Sequence, residues 1–457
     1  MSKKASSVLD YGLIEKGQFS YLNDTGCGLV FNNRHGERVL YCEGKWYIWT
    51  DRRWYLDKER KICKLARDTA INFEEELQKV KHPNSQEGVR KHAKKILSAG
   101  YQERMLKMAA IDAAIEPGKF DTDPYLLNVW NGTLDLENGT LYQHDKDDLN
   151  TKIMKVKYKS DAECPQFIKF LARIMNRDRQ KIAYLQRIMG YILTGDIKGQ
   201  VFFIFWGPGA NGKTTFMEVM RALLGDYSIQ AEYRSFVAGS FKNAIRNDLA
   251  ALKGSRLVVA SEAETSHKLN ETLMKQVSGG EALFTRFLFK EYHEYRPTFK
   301  IVLVTNNLPK IQERTEAIWR RIKLVPFNVT IPAEERNPNL LDDLKEELPG
   351  ILNWALTGCL KWQKQGLNEP SSILQLTERY IDKCDPLGRF FRDCCECDSQ
   401  YKVHTSDLQN AYKGWCRENG EFEVGSHVVA NRLREFGCKN STSNGKRLWK
   451  GIRLRER

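Results

Sequence analysis

Runs of alternating apolar and polar residues give way along this chain to longer stretches with helical spacing, and the changes of period mark out its elements. Between about 20 and 60, the segment VLYCEGKWYIWTDRRWYLD alternates and carries turn residues at Glu43-Gly44 and Thr50-Asp51, which predicts a small antiparallel meander. Trp46, Trp49, Arg52, Arg53 and Trp54 interleave rings and cations there. Such a pattern can stack on bases, but in so small a sheet the tryptophans are expected to form its own core. Lys61 to Ala114 reads as charged helix with a polar break at His82–Glu87. The segment YLLNVWNGTLDLENGTLYQHD returns to strand, with hairpin turns at Asn131-Gly132 and Asn138-Gly139. Cys164–Gly195 is an amphipathic helical pair, and helices recur around Leu340–Leu360 between the links IPAEERNPN and KWQKQGLNEPSS. The last part reads as helix over Asp385–Asp398, helix over Ser406–Asn419 and helix over Ser426–Phe436. A hairpin over Cys438–Leu454 follows, turning at Ser443-Asn444-Gly445. That order is a winged-helix pattern.

One junction between periods carries chemistry. The apolar run Val201–Trp206 (VFFIFW) is too short for a buried helix, and the residues after Thr214 (TFMEVMRALLG) have helical spacing that stops at Gly225. Between them stands GPGANGKTT: Gly207, Pro208, Gly209, Ala210, Asn211, Gly212, Lys213, Thr214 and Thr215. Strand, glycine loop and helix in that order are the setting a phosphate loop requires. Glycines let backbone N–H groups turn toward phosphate oxygens, and the helix N-terminus adds its positive end. Lys213 would reach the β- and γ-phosphates and the Thr214 hydroxyl would hold Mg²⁺, so ATP with Mg²⁺ is the expected ligand.

Composition narrows the partner. The chain has 457 residues, 41% of them hydrophobic and 28% charged, ordinary values for a folded protein of several domains. The formal charge of +14 points to a polyanion, and nucleic acid fits better than a membrane surface. No apolar stretch approaches a membrane span and the N-terminus lacks a signal core, so a cytoplasmic location inside the host cell is expected. Eleven scattered cysteines argue against a disulfide framework. Cys384, Cys394, Cys395, Cys397 and Cys416 could be read as a zinc site but lack two separated C-x-x-C knuckles, and thiols are expected. Asp121-Thr122-Asp123 has the look of a two-metal polymerase site without a third acid, and a solvated turn is expected.

Three features downstream of the loop fit nucleotide hydrolysis. The strand Arg256–Ser261 runs into Glu262-Ala263-Glu264, where one carboxylate would hold Mg²⁺ and the other polarise water. The strand Phe299–Thr305 ends at Asn306, placed to orient the lytic water. Ile318–Ile322 carries Arg320 and Arg321, whose guanidinium groups could neutralise charge on a phosphoryl group in a neighbouring subunit. At the end of the chain, Arg432 and Arg434 lie on the candidate recognition helix and Lys446, Arg447 and Lys450 on the wing, a basic face for DNA.

Loop, acids, middle motif and Asn within one compact span resemble the superfamily 3 helicases. GYILTGD, GPGANGKTTF, EAETSHKLNETLMKQVSGGEALFTRFLFKEYHEYRPTFKIVLVTNNLP and AIWRRIKLVPF are similar to the poxvirus-type and phage–plasmid primase–helicase branch. GERVLYCEGKWYIWTDRRW and LNVWNGTLDLENGTL look like its accessory region. The resemblance implies an α/β fold with an AAA+-like P-loop NTPase core. It divides the chain into an α+β accessory region (1–150), a helical collar (151–198), the ATPase (199–365) and a winged-helix domain (373–457). It implies a homo-hexameric ring moving 3′ to 5′ on single-stranded and forked DNA during replication of a phage, plasmid or other mobile element. Lys213, Thr214, Glu262, Glu264 and Asn306 would serve the site in cis. Arg321, with Arg320 as second choice, would be the finger in trans, and Lys290 with His293 would grip DNA from a pore hairpin. An initiator, primase or polymerase of the element or host is the implied partner, with no membrane. Glu281 stands where the family commonly has Asp, and the paired acids and His of an N-terminal primase domain are not found in the sequence. An ATP-regulated origin-binding initiator, or a primase-associated helicase component, are the alternative readings.

Overall fold

The computed structural model describes residues 22–79, 86–239, 246–262, 268–286, 293–313, 316–443 and 445–455. The described residues begin with a helix the sequence pattern did not give, α1 (Asp24–His35), where β-like runs were expected. It has little amphipathic signal, and its start is fixed by Asn23, whose side chain accepts from Gly26 N–H. The expected meander follows as β1 (Val39–Cys42), β2 (Lys45–Trp49) and β3 (Trp54–Leu56), paired antiparallel. Helices α2 (Lys61–Lys79), α3 (Gln86–Ile96) and α4 (Ala99–Asp112) complete a separate core around Phe31, Phe73, Leu77, Ile96 and Met105. The aromatic and basic residues of the meander are spent internally. Trp54 is buried, Arg53 pairs with Asp226, and the Arg52 guanidinium lies 3.8 Å from the centre of the Trp130 ring. Asp121 accepts from the Thr151 amide and hydroxyl, and Asp123 from the Tyr125 amide, so the D-x-D carboxylates staple a turn.

Strands β4 (Leu126–Val129), β5 (Gly132–Asp135) and β6 (Leu141–Tyr142) do not share that first core. Leu127, Val129 and Leu134 pack with α5 (Pro165–Ile174), α6 (Arg179–Leu193) and the central sheet, so the hydrophobic cores divide region 1–150 in two and merge its second half with the helical pair. The central sheet alternates with helices: β7 (Phe202–Trp206), α7 (Lys213–Leu224), β8 (Ser228–Glu232), the turn α8 (Asn247–Ala250) and β9 (Leu257–Ser261). After α9 (Glu271–Gly279) and the short hairpin β10 (Leu283–Thr285) and β11 (His293–Tyr295), it resumes with β12 (Lys300–Thr305), the turn α10 (Glu316–Trp319) and β13 (Ile322–Pro326). All five strands are parallel in the order β13-β7-β12-β9-β8. Successive residues face opposite layers. Phe203, Phe205, Val302 and Val304 pack toward α7, α5 and α6, while Phe202, Ile204, Ile301 and Leu303 pack toward α9 and Trp319. Burial on both faces explains why these strands read as unbroken apolar runs. Beyond the sheet lie α11 (Leu340–Glu346), α12 (Leu348–Gln365) and α13 (Ser371–Cys384), the last contributing Tyr380 to the sheet's second layer.

Two buried cations fasten α6 to the N-terminal edge of the sheet. Arg256 donates to the Leu193 and Leu126 carbonyls, and the Lys300 ammonium to the carbonyls of Thr194 and Asp196 (3.0 Å). The carbonyls of Leu193 and Thr194 stand at the C-terminus of α6, where positive charge is favoured, and the Leu126 carbonyl at the start of β4. Burial nevertheless drives the Lys300 pKa well below its ordinary value. The folded state therefore holds this proton less tightly than the unfolded chain, and the cost is present at neutral pH and fades as pH rises toward 10.5. The stability difference between Lys300→Met and wild type, measured by denaturant titration, is expected to move in favour of wild type across that range.

The last unit has its own core, built on Phe390, Leu408, Trp415, Leu433, Trp449 and Ile452. Its elements are α14 (Pro386–Cys394), β14 (Cys395–His404), α15 (Thr405–Asn419), α16 (Ser426–Glu435), β15 (Lys439–Ser443) and β16 (Lys446–Leu454), with sheet order β14-β16-β15. The helix expected over Asp385–Asp398 stops at Cys394, because residues 395–404 find their partners in β16, some fifty residues away. Pairing at that range leaves no local period to read. The core of this unit begins at Leu387, so α13 belongs with the sheet and the boundary lies later than residue 373.

Candidate functional site

The C-terminal ends of β7, β12 and β9 are neighbours, and three of the sequence-derived candidates sit just past them. In an open parallel sheet, ligands bind at this edge, where connections leave in opposite directions. Here β7 is flanked by β12 and β13, so the loop 207–212 emerges at such a point.

Its conformation is set by close approaches. A Cβ on Gly207 would stand 2.1 Å from the Phe327 carbonyl oxygen, and Gly212 has φ +83° with the Ile174 and Phe170 side chains where a Cβ would go. Gly209 meets nothing, so it keeps the loop open rather than shaping it. Asn211, buried in the loop, donates to the Pro208 and Phe327 carbonyls and ties the loop to the end of β13. The Ala210 carbonyl accepts from Ile331 N–H at 2.7 Å. Gly212 stands at the N-cap of α7 without a side-chain cap, and the first helical N–H, that of Lys213, donates to the Asn211 side-chain oxygen at 3.4 Å, at a helix end whose positive pole favours an anion.

Lys213 is 5% exposed and folds back over the loop. Its ammonium donates to the carbonyls of Gly207 (2.5 Å) and Pro208 (3.1 Å) and to the side-chain oxygens of Asn211 and Asn306, both at 3.2 Å. Burial lowers its pKa, and no carboxylate offsets that among these contacts. A cation held only by neutral oxygens can exchange them for phosphate. Thr214 is exposed in the first turn of α7. Across the edge, Glu262 follows β9, its amide bonded to the Val304 carbonyl and one carboxylate oxygen accepting from the Thr305 hydroxyl. Its other oxygen has no hydrogen bond among the described residues and could face a hydrated cation with Thr214. Glu264 lies outside the described residues. The sequence reading had Asn211 within the loop but missed Thr305, the last residue of the strand that delivers Asn306.

The arginine pair stands at the other end of the sheet. The Arg321 carbonyl accepts from Phe202 N–H at the start of β7, and β7 is five residues long, roughly 17 Å from the loop. Within one chain the pair does not reach the loop. Arg321, the first choice from sequence, is buried. Its guanidinium donates to the Ala317 carbonyl and contacts the Gln200 side chain at 3.4 Å, beside Gly279. Burial, then Arg320, lowers its pKa. Arg320 is exposed. Of the two, Arg320, the second choice from sequence, is the one that faces outward, and Arg321 packs the turn that carries it. Arg320→Ala is expected to reduce ATP turnover of the assembled protein at least ~10²-fold with unchanged thermal stability, whereas Arg321→Ala lowers the melting temperature.

The DNA candidates divide in the same way. Lys290 lies outside the described residues, and His293 pairs with Thr285 across the β10–β11 hairpin. Arg432 is engaged by Asp385 at 2.7 Å and Glu435 at 2.8 Å, so it holds α16 against α14 instead of facing a groove. Arg434, Lys446, Arg447 and Lys450 are exposed. Among the described residues no group of three or more His, Cys, Asp or Glu is placed to hold a metal ion, and no helix is long and apolar enough to cross a membrane.

Several known proteins are similar to this chain. The family described as D5 N terminal like matches residues 28–176, and a family of unknown function (DUF5906) matches residues 205–321. The chain is 26% identical to "Putative helicase L207/L206" of Acanthamoeba polyphaga mimivirus over 451 residues, covering 89% of this chain and 45% of that protein. It is 22% identical to "Putative helicase 121R" of Invertebrate iridescent virus 3 (65% and 35% covered). Identity to "Putative primase C962R" of African swine fever virus (isolate Tick/Malawi/Lil 20-1/1983) is 23% (73% and 38% covered). The chain spans less than half the length of these relatives. Among solved structures, the apo NrS-1 C-terminal region shares the fold, with a TM-score of 0.52 at 12% identity, over 90% of this chain and 95% of that one.

Proposed function

This chain belongs to the D5-like primase–helicase family, and we propose that it is the ATP-driven motor of a DNA helicase acting in replication. The observation that carries the reading is the convergence of Lys213, Asn306 and Glu262 at the C-terminal edge of three adjacent parallel strands, around a loop that leads into the N-terminus of α7 through Gly212. Residues 207–215 act as the phosphate loop of an AAA+-like core. Lys213 leaves its four oxygen partners for the β- and γ-phosphates of ATP, and Asn306, freed by that movement, orients the lytic water. Thr214 and Glu262 would hold Mg²⁺, which would supply positive charge beside the phosphates. Arg320 of one subunit completes the site of the next in a ring, six-membered by family likeness, which translocates on single-stranded DNA. The C-terminal unit, with its helix-strand-helix-helix-strand-strand order, acts as a winged helix on DNA.

ATP hydrolysis with and without single-stranded DNA tests the reading, together with strand separation on a forked duplex. DNA stimulates turnover and unwinding follows if it holds; ATP hydrolysis that ignores DNA, with no unwinding, refutes it. An initiator role has one observation of its own, the exposed cations Arg434, Lys446, Arg447 and Lys450. A footprint on one duplex sequence without unwinding would favour it.

A further inference from the structure

The three strands of the C-terminal sheet set lysines directly opposite one another. Lys450 of β16 pairs with Lys402 of β14 on one side and with Lys439 of β15 on the other. Residues opposite each other in an antiparallel sheet point to the same face, and adjacent strands lie about 4.8 Å apart. The next position along, Val403-Trp449-Asn440, turns Val403 and Trp449 into the core beneath the helices. The lysine row therefore occupies the opposite, outer face, and Lys402, Lys439 and Lys450 are all exposed. None of the three forms an ion pair among the described residues, whereas Arg453 and Glu396 nearby pair at 2.7 Å. Like charges directly opposite destabilise a sheet. A row of three across every strand of one small sheet is a costly arrangement for a surface with no polyanion to meet.

We propose that the outer face of the β14-β16-β15 sheet is a docking surface for the sugar–phosphate backbone of duplex DNA, contacted through Lys402, Lys450 and Lys439 without regard to sequence. Duplex is favoured over single strand because sequence-tolerant binding of single strands uses free aromatic rings, and this face offers no free Phe, Tyr or Trp among the described residues. Trp449 points to the core, and Tyr401 is covered by the Arg453 guanidinium at 4.0 Å from its ring centre. The surface is separate from α16. It would hold the unopened duplex ahead of the motor, so the inference rests on the DNA-directed reading above but not on ATP hydrolysis.

The test compares the full-length chain with the triple variant Lys402→Gln, Lys439→Gln, Lys450→Gln. Binding to two unrelated duplexes and to a single strand is followed by fluorescence anisotropy across a salt series, with melting temperature and ATP turnover measured alongside. Each lysine on a phosphate contributes about one to the slope of log affinity against log salt, so the triple variant should lose about three. It should bind both duplexes at least ~10-fold more weakly, retain its affinity for single strands, and melt at the same or a higher temperature as the repulsion is relieved. An unchanged duplex affinity and salt slope overturns the proposal, as does a loss confined to single strands or to one of the two duplexes. Wild type that hydrolyses ATP but binds no duplex overturns it while leaving the motor reading intact. Wild type that binds duplex through these lysines without ATP turnover supports it and removes the motor.

Discussion

Lys213→Met is expected to abolish ATP turnover while leaving the apo protein as stable as wild type or more so. The ammonium is buried and its pKa is lowered by desolvation, so the charged form is carried at a cost in the absence of ligand. Its present partners are two loop carbonyls and two side-chain amide oxygens, and those of the exposed residues Pro208 and Asn306 can turn to water once the lysine is gone. Methionine keeps much of the volume without the charge. With ATP bound the balance inverts, because phosphate oxygens replace neutral ones and a cation in a partly dry site is worth far more to a developing negative charge. The expected loss in turnover is at least ~10²-fold. Differential scanning calorimetry gives the second readout. ATP at a hundredfold excess over its Kd should stabilise wild type by about 2.7 kcal/mol, and the variant much less. A variant that hydrolyses ATP normally, or that unfolds before wild type without ligand, contradicts the assignment of Lys213.

The loop was legible in the sequence because every part of it is local. A short apolar run, glycines at fixed offsets and a helical period after them all lie within twenty-five residues, and tertiary structure only had to leave them in place. The strands ending at Ser261 and Thr305 were legible for a related reason: burial on both faces makes their apolar runs continuous, and both delivered their acid and amide to the same edge. What stayed hidden depends on partners distant in sequence. Arg320 and Arg321 are identical letters side by side, and only the packing of Gln200, Ala317 and Gly279 shows which one faces inward. Arg432 reads as a groove-facing cation until Asp385, forty-seven residues earlier, appears beside it. The strand β14 contains no period of its own and exists because β16 pairs with it, and the row Lys402-Lys450-Lys439 follows from that register alone. Helix α1 owes its start to a single capping asparagine, a signal that β-like neighbours masked.

Gly190→Ala and Gly358→Ala are each expected to destabilise the protein by about 3 kcal/mol or more, the largest stability effects anticipated for single methyl groups here. Helices α6 and α12 cross at these two glycines. A Cβ on Gly190 would lie 2.0 Å from the amide nitrogen of Cys359, and a Cβ on Gly358 would lie 2.0 Å from the carbonyl oxygen of Gln186. In both cases the obstacle is backbone, which cannot rotate away as a side chain can, so the helices must part. Parting them disturbs the buried layer of Tyr184, Ile188 and Ile192 against Ile351, Ala355 and Cys359, in an interior packed too tightly to absorb the shift. The disturbance reaches the site as well. Thr194, just past the end of α6, accepts from Lys300 at the start of β12, and β12 carries Asn306 at its far end. ATP turnover should therefore fall along with stability. Gly414→Ala supplies the contrast, because Gly414 lies inside α15 and an added methyl there would meet nothing within 4 Å. Alanine is the better helix former by up to about 1 kcal/mol, so that substitution should raise stability. Thermal melts of the three variants decide the matter: Gly190→Ala and Gly358→Ala that melt with wild type would mean that α6 and α12 do not cross at these glycines.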